Sequence, residues 1–435
     1  MGDWLTSHKI RTIMRQAAAN HIFPEMHRHS SHHIFTIFIT IAVLTIGYAS
    51  AVAAVPADTE ITFPRSHRAH IGVIVRDLSS GKNIVEQNPD KFLTPASIVK
   101  SVTASSLLLA GKADTVFSTP VYAMGDIDAD GVLNGSVIIK ASGDPTTESP
   151  RFTNRSDLIS STAASIRRLG IRNIRGSLEI DSAGFIQQGP VDRWEFDDLR
   201  YAYGAGLHPV NYHDNTINGD KALADPGEEL LITLEERLSA DSINVEWNEV
   251  DTAGMLPRPL LTATSPDAWQ IMREMMEQSV NLYAESMLRL LAPGKDRGAA
   301  LQCQSQLLQN LGIDTEAAQL FDGSGLTRAN RVTPDFMADL LESMAKSDLS
   351  QRFVSLFPSV GQEGTVRRLL CGTPLEGRLV LKSGSMNGVQ AYAGYKLDSS
   401  NHPTHAVVII VNDFTCKRAA VTSAISSFLL RQFPE

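Results

Sequence analysis

The distribution of strand-like and helix-like patterns is the feature that most limits how this 435-residue chain can fold. Strand patterns near both ends, at 68–87 and 377–413, enclose helical periodicity at 266–347. Strands this far apart in sequence can satisfy their backbone groups by joining one sheet. We therefore predict an α+β fold whose main sheet combines distant segments and is interrupted by a strand-rich insertion at 116–255.

The same distribution divides the chain into domains. Residues 60–115 and 256–435 are predicted to form a discontinuous catalytic domain, and 116–255 an inserted β-rich domain. Within the leading segment 1–54, an apolar run from Ile34 to Tyr48 is followed by small residues, which is typical of a secretory signal peptide. The run is shorter than the roughly 20 residues of a spanning helix, so cleavage is favoured over an uncleaved anchor. Both alternatives place the rest of the chain outside the cytoplasm.

Composition and motifs argue against several classes of protein. Lys and Arg number 39 against 48 Asp and Glu, without a basic cluster, so no nucleic-acid partner is expected. Cys303, Cys371 and Cys416 allow at most one disulfide, whose pairing cannot be deduced. The stretch 126–137 begins like a calcium loop but ends in Val137 where a bidentate carboxylate is required, so a surface hairpin is predicted. No metal site and no cofactor are expected.

A serine and a lysine occur three positions apart in TPASIVKSVTA (94–104). With Thr94 as the predicted N-cap, Ser97 lies in the first helical turn, where free backbone N–H groups favour a developing oxyanion. Lys100 shares its helix face and can act as a base if burial or a second cation lowers its pKa. The spacing alone is weak, because Ser79–Lys82 repeats it in a turn.

Two further motifs strengthen the pattern. Ser279 and Asn281 lie at the junction of two predicted helices, where both side chains can face one cleft. Lys382, Ser383 and Gly384 follow one another on a strand and supply a second cation, a hydroxyl for a carboxylate, and room for close approach of a substrate backbone. Neighbouring strand residues point to opposite faces, so both side chains can serve one site only on a twisted edge strand.

In the order Ser-x-x-Lys, Ser-x-Asn, Lys-[Ser/Thr]-Gly, these motifs resemble the active-site signature of penicillin-recognising serine enzymes. The surrounding sequence, including SGDPT (142–146), the run 194–215 and FDGSGLTRAN (321–330), is similar to one branch: low-molecular-mass penicillin-binding proteins that are D-alanyl-D-alanine carboxypeptidases and endopeptidases. The resemblance covers about 65–430. It implies a β-lactamase/transpeptidase-like core, an antiparallel sheet flanked by helices, with an inserted β-rich domain and an outer third domain that is reduced or absent.

The resemblance also implies a role for each matching residue. The catalytic set is the nucleophile Ser97, its base Lys100, the proton relay Ser279, Asn281 on the substrate amide, and Lys382 on the terminal carboxylate. In the substrate-binding set, Ser383 joins Lys382 on the terminal carboxylate, Gly384 follows it, and the backbone N–H of Ser385 forms the oxyanion hole with that of Ser97. The set also includes Asp144 and Arg328 on the zwitterionic end of a meso-diaminopimelate side chain, and Met386 and Asn387 in the same pocket. Serine replaces the usual threonine at 383, and both keep the hydroxyl.

The function implied is that of an exported serine DD-peptidase acting on peptidoglycan stem peptides through an acyl-serine, with β-lactams as inhibitors. Its expected location is the periplasm or another extracytoplasmic space, and peripheral membrane association stays open. The alternatives are a β-lactamase or esterase on the same core and a catalytically silent wall-binding scaffold. The insertion argues against a β-lactamase, which lacks one, and the intact motifs argue against a silent protein.

Overall fold

The structure is a computed structural model that describes residues 60–153, 157–186, 189–251 and 254–434. Within these ranges the strands, in chain order, are β1 (His70–Asp77), β2 (Lys82–Gln87), β3 (Ser118–Ile127), β4 (Val132–Lys140), β5 (Asn173–Gly176), β6 (Leu178–Asp181), β7 (Thr216–Ile217), β8 (Lys221–Ala222), β9 (Asn244–Trp247), β10 (Pro257–Thr264), β11 (Ala318–Gln319), β12 (Arg331–Val332), β13 (Leu379–Met386), β14 (Val389–Leu397) and β15 (Pro403–Asn412). The α-helices are α1 (Val99–Leu109), α2 (Leu158–Arg168), α3 (Pro226–Ala240), α4 (Ala268–Gln278), α5 (Asn281–Leu290), α6 (Arg297–Asn310), α7 (Pro334–Lys346), α8 (Ser350–Val354) and α9 (Arg418–Gln432).

The main sheet joins strands from both ends of the described chain, which confirms the prediction from the sequence. Its five strands run in the order β13-β14-β15-β1-β2, and every neighbouring pair is antiparallel. His70 lies opposite Asn412 where β1 meets β15. Strand β13, which carries Lys382 and Ser383, therefore lies at one edge of the sheet. An edge position is what the sequence predicts if both side chains are to serve one site.

Both faces of this sheet are covered, because its central strands are apolar at successive positions. On one face Val73 and Val75 of β1 pack in a core with Ile425 and Phe428 of α9. On the other face Ile74 belongs to the core formed by α1 and α4 to α7. Side chains alternate between the faces of a strand, so an uninterrupted apolar run is what a sheet between two helical layers needs.

A second sheet occupies the strand-rich middle of the chain, in the order β10-β3-β4-β5-β9, with β6 also pairing with β4. Helices α2 and α3 pack on it. Charged and β-branched stretches alternate at 228–262 and predict no long helix there, so the 15-residue helix α3 corrects that prediction. Its buried stripe is narrow, with Leu230, Leu234 and Leu238 one turn apart and most other positions polar. The predicted hairpin at 126–137 is confirmed by the antiparallel pairing of β3 with β4.

The remaining sequence predictions concern the cysteines, the leading segment and the domain boundaries. Cys303, Cys371 and Cys416 are all free thiols. The predicted signal segment 1–54 lies outside the described residues. Among the described helices, none has the length and apolarity that crossing a membrane requires. The domain boundaries at 115/116 and 255/256 stay a prediction.

Candidate active site

Ser97 lies in a short 3₁₀ turn, Ala96–Ile98, that leads directly into α1. Thr94 is not the helix cap that the sequence predicts. The residue preceding the turn is Pro95 and carries no side-chain cap, while the backbone of Thr94 is held by the Asn412 side chain of β15 through bonds of 2.7 and 3.0 Å. The turn that carries Ser97 is therefore fixed by the main sheet.

Two glycines let this turn pack closely. A Cβ at Gly384 would lie 2.7 Å from the Pro95 carbonyl oxygen and 3.0 Å from the Ser97 nitrogen. At Gly325, where φ is +81°, a Cβ would lie 2.0 Å from the Ala96 carbonyl oxygen. Gly384 therefore makes room for the turn that carries Ser97, which corrects the expectation that it makes room for substrate.

Lys100 is fully buried one turn after Ser97. Its Nζ donates to Ser97 Oγ at 3.0 Å, to Asn281 Oδ1 at 2.6 Å and to the Ser324 carbonyl at 2.7 Å. Burial lowers the pKa of Lys100 to about 7, although the charges of Asp322 and Glu285 oppose that change. A neutral Lys100 amine still satisfies two acceptors and turns its lone pair to the serine hydroxyl, as a general base must.

Ser279 and Asn281 reach the same place from the break between α4 and α5. Ser279 ends α4 in the left-handed conformation with φ of 63°, and α5 begins at Asn281. The amide Nδ2 of Asn281 donates to the Tyr203 carbonyl at 2.7 Å, while its Oδ1 holds Lys100. Asn281 therefore orients Lys100 through its oxygen, and the second N–H of its amide is available at the cleft that it lines.

Lys382 approaches from β13 and is also fully buried. Its Nζ donates to Ser279 Oγ at 2.9 Å and to the carbonyl of Ser383 at 2.8 Å. Burial, reinforced by repulsion from Lys100, holds the pKa of Lys382 well below its usual range. Because Ser279 Oγ accepts from Lys382, its own proton is free to point toward the cleft.

These residues form the floor of an open cleft of about 700 Å³. The predicted residues that line it are Ser97, Ser279, Asn281, Arg328, Ser383, Ser385, Met386 and Asn387. Lys100 and Lys382 lie just beneath this floor and contact it through the hydrogen bonds described above. Arg368 and Arg418 add further positive charge to the lining, which suits a substrate that ends in a carboxylate.

Arg328 is among the residues that line the cleft, and Asp144 is not. The Arg328 guanidinium lines the cleft, forms an ion pair with Glu195 at 2.7 Å and donates to the Asn387 carbonyl at 3.1 Å. Asp144 is buried, its carboxylate accepts from the backbone and hydroxyl of Thr146, and it is not among the residues that line the cleft. A different carboxylate, Asp198, does line the cleft.

The sequence did not single out two buried carboxylates below Lys100. Glu285 accepts from the backbone N–H groups of Gly323 and Ser324 at 3.1 and 3.0 Å, and burial raises its pKa to about 7. The Ser324 carbonyl is one of the groups that hold Lys100. The signal that could have found Glu285 is its position four residues after Asn281, on the same helix face.

Asp322 holds the loop 322–330 together through hydrogen bonds to its side chain. Its carboxylate accepts from the backbone N–H groups of Gly325 and Thr327, both at 2.8 Å, and from Asn330 Nδ2 at 2.7 Å. The indole of Trp194 donates to it at 2.9 Å, across a sequence separation of 128 residues. The loop is therefore fixed to the segment that borders the cleft.

Comparison with known proteins agrees with this geometry. The family model described as D-Ala-D-Ala carboxypeptidase 3 (S13) matches residues 53–254 and 222–430. The D-alanyl-D-alanine carboxypeptidase DacB of Haemophilus influenzae is 24% identical, over 86% of this chain and 91% of its own. The D-alanyl-D-alanine carboxypeptidase of Actinomadura sp. (strain R39) is 26% identical, over 78% and 77%.

Solved structures give the same fold. The crystal structure of penicillin binding protein 4 (dacB) from Haemophilus influenzae superposes with a TM-score of 0.73 at 21% identity, covering 86% of this chain and 99% of that chain. A structure of the same protein complexed with a novel β-lactam gives a TM-score of 0.65 at 22% identity, covering 85% and 97%.

Proposed function

This chain belongs to the D-Ala-D-Ala carboxypeptidase 3 (S13) family and is a penicillin-binding serine DD-peptidase, and from that premise we propose how its residues divide the chemistry. Ser97 Oγ attacks the carbonyl of the penultimate D-alanine, while Lys100 takes the hydroxyl proton. The new bond is an ester to Ser97, and the bond that breaks is the peptide C–N bond. The observation that carries this assignment is the 3.0 Å contact between Ser97 Oγ and a buried amine.

The proton that Lys100 took from Ser97 reaches the leaving amine through Ser279. Its hydroxyl accepts from Lys382 and lines the cleft, so its own proton can pass to the departing nitrogen. Lys382 and Ser383 take the terminal carboxylate, and the backbone N–H groups of Ser97 and Ser385 stabilise the oxyanion. Water then hydrolyses the ester and returns the free serine.

We also propose the finer substrate class, a stem peptide with a meso-diaminopimelate side chain. Arg328 supports it, because this guanidinium lines the cleft and can receive the side-chain carboxylate. For the ammonium, Asp144 is the residue that the family resemblance implies, and Asp198 is a second candidate, because Asp198 lines the cleft whereas Asp144 is buried and is not among the lining residues. Matched Asp198→Asn and Asp144→Asn variants distinguish the two residues. Substitution of the residue that binds the ammonium should raise KM for the meso-diaminopimelate peptide and not for a lysine peptide.

The proposed location is extracytoplasmic, with 1–54 as a signal that is removed on export and 116–255 as an inserted domain. The named relatives are D-alanyl-D-alanine carboxypeptidases, and action on peptidoglycan would place the enzyme outside the cytoplasm. N-terminal sequencing of the protein from a cell envelope tests the signal: a mature chain that begins after Ala51 supports it, and an intact leader supports the anchor.

Trapping with labelled penicillin tests the function. A long-lived adduct on the peptide that carries Ser97, and its loss in Ser97→Ala, are expected. Rapid loss of label from the wild type would favour a β-lactamase, and hydrolysis of a D-Ala-D-Ala peptide by Ser97→Ala would overturn the assignment. Mass spectrometry of treated muropeptides then separates the activities, because a carboxypeptidase releases D-alanine and an endopeptidase converts cross-linked dimers to monomers.

A further inference from the structure

Three exposed aromatic side chains lie on the segment that borders the cleft. Phe196 is 87% exposed, Tyr201 39% and Tyr203 46%. The rings of Tyr201 and Tyr203 stack with centroids 5.3 Å apart and planes 15° from parallel. We call these three residues the aromatic rim. Tyr203 also lines the cleft, so the rim is continuous with the catalytic site.

The backbone below the rim is firmly held. The segment folds as two 3₁₀ turns, Phe196–Asp198 and Ala202–Gly204. At its start the Trp194 indole donates to buried Asp322, and at its end the Tyr203 carbonyl accepts from Asn281. Exposed rings on a fixed backbone lose little conformational entropy when a ligand covers them, so this arrangement suits a binding surface.

Polar groups surround the rings. The Tyr203 hydroxyl donates to Asp198 at 3.1 Å, and the Arg200 guanidinium lies 4.9 Å from the centre of the Tyr201 ring. Asp197 is exposed beside them. A sugar ring offers one apolar face of C–H groups and an edge of hydroxyl and amide groups. Flat aromatic rings with carboxylate and guanidinium neighbours match both parts of such a ligand.

We propose that the aromatic rim binds the amino-sugar strand of peptidoglycan while the stem peptide of that strand occupies the cleft. This inference rests on the proposed function, because the sugar strand is attached to the stem peptide and therefore has to lie near a cleft that holds that peptide. The rim is continuous with this cleft through Tyr203. The rim thus makes glycan-linked peptides better substrates than the same peptides free in solution. The acidic residues of the segment, Glu195, Asp197 and Asp198, disfavour an anionic membrane as the alternative occupant.

Kinetics with paired substrates test the proposal. The substrates are one pentapeptide stem in free form and the same stem on a short glycan strand. For the wild type we expect a lower KM for the linked form, and for the double variant Phe196→Ser/Tyr201→Ser a KM for that form raised roughly tenfold, to that of the free peptide, which corresponds to about 1.4 kcal/mol. Leu256, equally exposed at 87% and immediately before β10 of the second sheet, provides the control Leu256→Ser, which keeps the difference.

Calorimetric titration with peptide-free glycan strands separates this proposal from the proposed function. Binding by the wild type and its loss in the double variant would support the rim whatever the enzyme hydrolyses. Equal KM values for both substrates, or strand binding that the double variant retains, would overturn the rim. If the wild type forms no penicillin adduct, the proposed function is overturned. The titration with glycan strands then still tests whether the aromatic rim binds sugar. Penicillin acylation of the double variant checks that its fold is intact.

Discussion

Raising the pH from about 5 to about 9 is expected to speed the acylation of Ser97 by a labelled penicillin, with the half-rise near neutrality. The reason is that Lys100 accepts the Ser97 proton only after losing its own. Burial lowers the pKa of Lys100 from 10.5 to about 7. An ordinary exposed lysine would produce the same rise only in strongly alkaline solution.

The magnitude follows from that difference of about 3.5 pH units. At pH 7 roughly half of the Lys100 side chains are neutral, whereas an ordinary lysine is neutral in roughly one molecule in 3,000. Burial therefore makes the free base about a thousandfold more abundant at neutral pH, which is worth about 5 kcal/mol of proton affinity. The same burial costs folding stability below the ordinary lysine pKa, and stability is regained as the pH rises from about 7 toward about 10.

The assay is the second-order rate constant of acylation at constant ionic strength, with tryptophan fluorescence confirming the native fold at each pH. The rate should rise about tenfold per pH unit below neutrality and then level off. In Glu285→Gln the half-rise should move to lower pH, because the Glu285 charge raises the pKa of Lys100. Lys112→Arg, in the loop that follows α1, is the control. A rate that is flat across this range, or a Glu285→Gln profile displaced to higher pH, would refute the electrostatic reasoning.

Three further predictions concern the floor and the scaffold. Ser383→Ala should raise KM for a D-Ala-D-Ala peptide about tenfold, because a hydrogen bond to a carboxylate is lost, whereas Ser383→Thr should match the wild type in steady-state kinetics. Trp194→Phe leaves buried Asp322 without its indole donor and should lower the free energy of unfolding in urea by about 1–3 kcal/mol. Arg76→Met removes the guanidinium that pairs with Asp335, Asp339 and Glu342 at 2.6 to 2.8 Å; because these carboxylates are partly exposed, the loss should be about 2 kcal/mol, and unchanged stability would contradict it.

Sequence reasoning succeeded where local geometry decides the outcome. A spacing of three residues brings Ser97 to Lys100 whatever surrounds them, and the break between two helices directs Ser279 and Asn281 toward one cleft. The main sheet was also predictable, because the strand patterns near both ends of the chain need neighbouring strands for their backbone hydrogen bonds. These relations depend on neighbours along the chain, which a sequence displays directly.

Sequence reasoning is weaker where tertiary packing decides. The sequence GDPT predicts a substrate-binding carboxylate, and its role stays a prediction, because the Asp144 carboxylate accepts from the backbone and hydroxyl of Thr146. Gly384 serves the backbone of a turn almost three hundred residues away, which no local pattern reveals. Glu285 is linked to Lys100 through the backbone of Ser324. Such an indirect contact requires no particular sequence spacing between the two residues, so no motif predicts it.

In the proposed mechanism Lys100 is the base and Lys382 binds the substrate carboxylate, and the burial of both lysines is consistent with that division. Lys100 and Lys382 are both fully buried, and repulsion between them lowers the pKa of Lys382. The charges of Glu285 and Asp322 act on Lys100, whereas Lys382, on β13, donates a hydrogen bond to Ser279. An incoming carboxylate therefore favours the charged form of Lys382, and that charge in turn favours the neutral form of Lys100. Substrate binding itself thus leaves one lysine as the anchor and frees the other to act as the base.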